Sequence, residues 1–169
     1  MATRKIAYAT AATVFGGTAL DSLASSSTLV AGLESAVIDN TSNLYLDVLL
    51  SGRFKANNTA PTAGLIQVYV GSLLNDTEYP DVFDGTESAE TITSEDIRNA
   101  ILVCIASMTT TTTANRIYEF RKKSVAELFG GNMPSKWFVF VTHSMVQALN
   151  TTASNGGQVW MQGITETIA

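Results

Sequence analysis

The sequence predicts an all-β fold: an antiparallel, jelly-roll-like β-sandwich of about eight strands, with one or two short helices and an extended N-terminal arm. Three observations carry this. Stretches such as LYLDVLLSGRFKA (44–56) and LIQVYV (65–70) alternate apolar and polar residues, the period-two signature of a half-buried strand. Clusters of turn residues punctuate them, as in ANNTAPTAG (56–64) with Pro61 and Gly64. Helix start signals occur at only two places, and neither helix is long enough to cross a parallel sheet. Connections of very unequal length, the one before ILVCIASM above all, suit a Greek key or jelly roll better than a meander.

Taken in order, residues 1–27 form the arm and residues 28–169 a single sandwich domain. The arm is small and polar, with Gly16–Gly17 and Ser25–Ser27, and promises little core of its own. Such a segment either frays or lies along a neighbour, and the second is expected here. Its first residues, MATRKIAYATAATVFGG, match a signal peptide only loosely, because Thr and Tyr interrupt the apolar middle. In the first strand Leu44, Leu46, Val48 and Leu50 are expected on one face, with Asp47, Ser51 and Arg53 on the other. Ile66, Val68 and Val70 should point inward from the second. TSEDIRNA (93–100) reads as a short helix capped by Ser94, with acids in its first turn. ILVCIASM (101–108) reads as a buried strand and NRIYEFRK (115–122) as an alternating one. SVAELFGG (124–131) carries a capping box, Ser124 with Glu127, and a glycine stop. WFVFVTHSM (137–145) and QVWMQGITETI (158–168) are the last two strands.

At 169 residues the chain fits one domain and can bury roughly two thirds of its unfolded surface. Charged residues make up only 15%, below the roughly 25% of ordinary soluble domains. Thr, Ser, Asn and Gly fill the difference, giving a weakly charged polar surface suited to contact with other proteins. The net charge of −5 argues against a nucleic-acid partner, which needs a basic face. No stretch is apolar enough to span a membrane as a helix. The charge is uneven. Asp76, Glu78, Asp81, Asp84, Glu87, Glu90, Glu95 and Asp96 follow one another with no base between them, whereas Arg116, Arg121, Lys122, Lys123 and Lys136 face only Glu119 and Glu127. Two readings stand: complementary patches that meet between subunits, or a solvated loop and one basic strand edge.

Candidate chemistry is sparse. Cys104 is the single cysteine, so no internal disulfide forms, and its setting reads as a buried small hydrophobe. GGTALDS and FGGNMPS lack the Lys-Ser/Thr of a phosphate loop. One Cys and one His fall short of a zinc site, and no G-x-S-x-G frames a nucleophilic serine. Asp81, Asp84 and Glu87, with Gly85 in a turn, lack EF-hand spacing but leave a looser calcium site open. Trp137, Trp160 and scattered tyrosines leave a sugar site open, although Trp on an alternating strand is more often core. Sequons at Asn40, Asn57, Asn75 and Asn150 reflect how common Asn and Thr are. His143 is the only histidine. It shares a strand face with Trp137, Val139, Val141 and Met145, and no second His or nearby carboxylate accompanies it. A wall residue whose ring nitrogens are satisfied by backbone or hydroxyl groups is therefore expected, not a catalyst.

The joined run SSSTLVAGLESAVIDNTSNLYLDVLLSG, PTAGLIQVYV, YPDVFDGTESAETITSEDIR and SVAELFGGNMPSKWFVFVTHSMVQALNTT, covering roughly 24–152, resembles a group of virion structural proteins of tailed bacteriophages and prophages. ESAVIDNTSNLYLD and FVFVTHSMVQALN carry it most specifically. The resemblance implies a virion part, a decoration (cement) protein on the capsid exterior, made in the host cytoplasm. Its partners would be the major capsid protein and copies of itself, with no catalytic residues, metal or cofactor. Residues 1–30 and 76–96 are the expected contact segments. A tail, connector or head-fibre protein of similar fold, or a carbohydrate-binding jelly roll, remain alternatives.

Overall fold

The structure, a computed structural model, describes residues 3–150 and 157–168. Its strands are β1 (Arg4–Tyr8), β2 (Ala12–Thr13), β3 (Ala31–Glu34), β4 (Ile38–Asp39), β5 (Asp47–Lys55), β6 (Leu65–Ser72), β7 (Ser88–Thr91), β8 (Leu102–Thr109), β9 (Ile117–Ser124), β10 (Lys136–His143) and β11 (Gly157–Ile168). One helix, α1 (Glu95–Ile101), precedes β8, and a 3-10 turn spans Ala126–Phe129. All pairings are antiparallel, in two sheets. The first has the order β1–β11–β5–β9 with β2 also on β11; the second has the order β7–β3–β10–β6–β8 with β4 on β10. β5 and β6, β8 and β9, β9 and β10, and β10 and β11 each lie in different sheets. The chain therefore wraps back and forth between two layers, and the all-β sandwich expected from the alternation is what forms.

Period two sets the core. Val48, Leu50 and Phe54 of β5, Tyr118 and Phe120 of β9 and Val159 of β11 meet Ile66, Val68 and Val70 of β6 and Trp137, Val139 and Val141 of β10. Each such side chain, fully buried, contributes roughly 1.5–3 kcal/mol. Gly52 lies between them because a Cβ there would run into the Phe120 ring.

A second apolar layer lies outside the second sheet. Tyr69, Phe138 and Phe140 point outward and are covered by Phe83, Ile92 and Leu102, with Tyr79, Val82, Ile97 and Ile101 packed alongside. The Phe83 ring sits 4.6 Å from Phe138 and 5.6 Å from Phe140. The acidic stretch is thus partly a lid. Its buried apolar residues face the sheet, and its acids other than half-buried Glu90 are exposed. This explains why WFVFVTH shows no alternation: β10 is covered on both faces.

Several sequence expectations are corrected. Leu44 and Leu46 do not join the core face; they are 71% and 51% exposed, Leu44 has a φ of 52°, and the strand begins only at Asp47. The arm does contribute core: Phe15, Leu20 and Leu23 are buried, and β1 and β2 pair with β11. ILVCIASM is not a buried strand throughout. Ile101 ends α1, and β8 is a sheet edge with Val103 and Cys104 exposed, so Cys104 is not the buried hydrophobe expected. Ser94 caps α1 as expected, accepting the Ile97 N–H at 3.2 Å. Ser124 accepts the Glu127 N–H at 3.0 Å, but the turn that follows is 3-10, ended by Gly130 at a φ of 71°.

One feature projects. β5 stops pairing with β11 at Asp47 opposite Ile164, and the remainder of β11 pairs only with β1. This two-stranded ribbon leaves Ile6 and Tyr8 60% and 61% exposed.

Candidate functional site

His143 ends β10 on the inner face and is fully buried. Its Nε2 donates to the Leu23 carbonyl at 2.8 Å, and its Nδ1 accepts the Met145 N–H at 3.4 Å. Both ring nitrogens are therefore held by backbone, in the neutral tautomer with the proton on Nε2. Burial lowers its pKa from the usual value, against a smaller opposing effect of the Leu23 carbonyl. Around it the arm is stitched down. Ser26 N–H donates to the His143 carbonyl at 2.7 Å, Leu149 N–H to the Leu23 carbonyl at 3.0 Å and Val146 N–H to Ser25 Oγ at 2.9 Å. The strand end faces the chain's own arm, and among the described residues no carboxylate or nucleophile hydrogen-bonds to the ring. As arranged, His143 is a clasp.

Two buried charges were not singled out from the sequence. Glu34, on β3 opposite Phe140 and Ser88, lies beneath the lid and is fully buried. Its carboxylate accepts the Gly85 N–H at 2.9 Å and the Asp84 N–H at 3.3 Å. Burial pushes its pKa up to about 7; the two N–H donors oppose that, and the charges of Asp84 and Glu90 add to it. Arg98 of α1, 6% exposed, donates from Nη1 to the Thr28 and Leu29 carbonyls, both at 2.9 Å, with its guanidinium 5.4 Å from the Tyr69 ring centre. Glu34 and Arg98 tie the lid and α1 to the rest of the fold. A charged residue in an otherwise apolar stretch, as in GLES, was the available signal.

The calcium candidates are not brought together. Asp81 accepts from Thr93 N–H and hydroxyl at 2.9 and 2.8 Å, Asp84 from Thr86 N–H and hydroxyl at 2.8 and 2.5 Å, and Glu87 from Gly16 N–H at 2.6 Å. Each carboxylate is committed to a different local partner, and no cluster of three metal-ligating side chains forms among the described residues. The aromatic candidates separate as well. Trp137 is fully buried in the core, whereas Trp160 alternates with inward Val159 and Met161 and is half-buried on the outer face of the first sheet.

The sequon asparagines have structural work. Asn40 bridges to Tyr45 N–H and carbonyl at 2.9 and 3.1 Å; Asn57 and Asn75 close turns on Thr59 and Thr77 at 3.0 and 3.3 Å. Buried Asn150 donates to the Ala56 carbonyl at 3.4 Å, while the rest of its sequon lies outside the described residues. No helix among the described residues is long and apolar enough to cross a membrane.

The charge asymmetry survives folding as geometry. Arg53, Arg121, Lys122 and Lys123 are exposed on β5 and β9, and Lys122 Nζ reaches across to Gln162 of β11 at 2.7 Å. Asp76, Glu78, Asp81, Asp84, Glu87, Glu95 and Asp96 are exposed on and beside the lid, over the opposite sheet. No protein-family model matches this chain, and no curated protein matches it either.

Proposed function

We propose that this chain is a non-enzymatic virion structural protein of a tailed bacteriophage, one that decorates and stabilises the outer capsid lattice. Besides the sequence resemblance, the observation that carries the reading is the combination of a closed apolar core with exposed contact features. The single histidine is a buried clasp, whereas the ribbon and the first sheet present Ile6, Tyr8 and Trp160 outward. Decoration requires such a body: it folds alone, binds at symmetry-related positions and gains from many modest contacts together. The major capsid protein and further copies of the chain are its partners in this reading, at the capsid exterior.

The test is stripping and add-back. Capsids carrying the protein should resist heat and chelator better than stripped capsids, and purified protein should restore the resistance. Equal resistance would sink the cement role. Labelled protein found on the tail or connector instead of across the head would move it to another virion position. A second reading, a carbohydrate-binding module, is favoured by Trp160 lying on an open sheet face. Silence on a glycan array, together with unchanged adsorption of a Trp160→Ala variant, would remove it.

A further inference from the structure

The two faces of the sandwich differ in what covers them. The lid packs across the outer face of the second sheet, whereas no hydrophobic cluster forms over the outer face of the first among the described residues. Leu49, Trp160 and Ile164 stay half-buried there, and the ribbon extends the face with exposed Ile6 and Tyr8. Cations accompany it: Arg53, Arg121, Lys122 and Lys123 are exposed, and on β5 and β9 only Glu119 is an exposed acid. The Arg53–Glu119 contact is long, at 4.0 Å. Lysine on an edge strand commonly guards against stray strand pairing, and that explains Lys123. It does not explain Arg53 or Lys122, which sit over the face.

We propose that the outer face of the first sheet docks the acidic lid side of a second copy of this chain, head to tail. The occupant follows from charge and shape together. The lid side is a run of exposed acids with no base between Asp76 and Asp96, and Leu74, 69% exposed beside it, offers an apolar anchor. The two surfaces lie on opposite sides of the sandwich, so they cannot meet within one molecule. A two-fold dimer through either surface would set like charges against like. Only a heterologous contact joins basic to acidic, and repeated contacts of that kind close into rings or run on as open stacks. The contact stands apart from the virion reading, since a monomer can also decorate a shell.

The experiment is sedimentation velocity on the purified chain at low and high salt. Wild-type protein should assemble at low salt and dissociate about tenfold more readily at high salt. Arg53→Glu/Lys122→Glu and Glu78→Lys/Glu95→Lys should each be monomeric, with wild-type circular dichroism and melting showing that they fold. Mixed in equal amounts, the two variants present complementary surfaces again and should reassemble. A wild-type protein that is monomeric at low salt overturns the proposal. So does assembly that persists in either variant, or a mixture that stays monomeric. None of these results bears on whether the protein strengthens capsids, which the add-back experiment reads separately.

Discussion

Glu34→Gln separates charge from shape at one buried position. In the folded protein the Glu34 carboxyl has a pKa of about 7, against 4.5 when unfolded. The folded pKa is the higher one, so the folded state binds the extra proton between those values. The stability contributed by the protonated form is complete below pH 4.5 and is lost as pH rises through 7. The rise from 4.5 to about 7 corresponds to about 3 kcal/mol across that window. Asp84, Glu90 and Tyr79 face the same group, and the negative charges of Asp84 and Glu90 deepen the penalty. Glutamine keeps its oxygen as acceptor for the Gly85 N–H but turns its NH2 toward the Asp84 N–H, losing a hydrogen bond worth about 1 kcal/mol. The variant should therefore be less stable than wild type by about 1 kcal/mol at pH 4.5, and more stable by about 2 kcal/mol at pH 8.5. Urea unfolding followed by tryptophan fluorescence at both pH values reads the difference. A variant destabilised equally at both values would refute a protonation-dependent clasp under the lid.

Other outcomes follow from the same reasoning. His143→Phe leaves the buried Leu23 carbonyl without its ring partner and should cost about 1–3 kcal/mol in urea unfolding. It should also remove one pH dependence: the His143 pKa is lowered by folding, so its contribution is complete above the unfolded value of 6.5 and fades as pH falls below it. An unchanged stability slope below pH 6.5 would contradict this. Arg98→Lys cannot serve the Thr28 and Leu29 carbonyls, held by Nη1, and the Asn99 side-chain oxygen, held by Nε and Nη2, at the same time, and should lower stability by about 1–3 kcal/mol while loosening the lid to hydrogen exchange. Gly52→Ala forces its Cβ into the Phe120 ring and should cost about 1–3 kcal/mol by thermal melting. Trp137→Phe opens a cavity but also removes a buried Nε1–H with no partner among the described residues, so its loss should fall below the usual 3–5 kcal/mol for emptying an aromatic site.

Much of the architecture is readable from local alternation, because strands covered on one face must alternate. β5, β6 and β9 follow that rule, and the turn clusters between them are where residue chemistry places them. The failures have physical causes. Leu44 and Leu46 keep the period beyond the point where the backbone leaves the sheet, and nothing local marks Asp47 as the first paired residue. Phe15, Leu20 and Leu23 are three apolar residues spread through small ones; only the sandwich interior, built from distant strands, turns them into core. Cys104 sits in an apolar run, but whether a strand is central or at an edge is a property of the sheet. The lid looked like a solvated acidic loop because its acids outnumber Tyr79, Val82, Phe83 and Ile92, the residues that decide where it packs. His143 was legible as a wall residue from its missing companions. Its clasp on the arm was not, since Leu23 lies 120 residues away.

The position of β11 constrains how the protein can be made. It is the strand synthesised after all others described, yet it lies in the interior of the first sheet, between β1 and β5. Until it arrives, β1 and β2 have no neighbour, and β5 is paired on one side only. A nascent chain therefore cannot close its sandwich before β11 has been made. It must hold Val48, Leu50 and Phe54 incompletely covered until synthesis of β11 is finished. Folding is then governed by pairings between the two ends of the sequence, the slow regime for β-rich topologies. During that wait the eight-residue β8, an edge strand with no charged residue, is the segment most exposed to wrong partners.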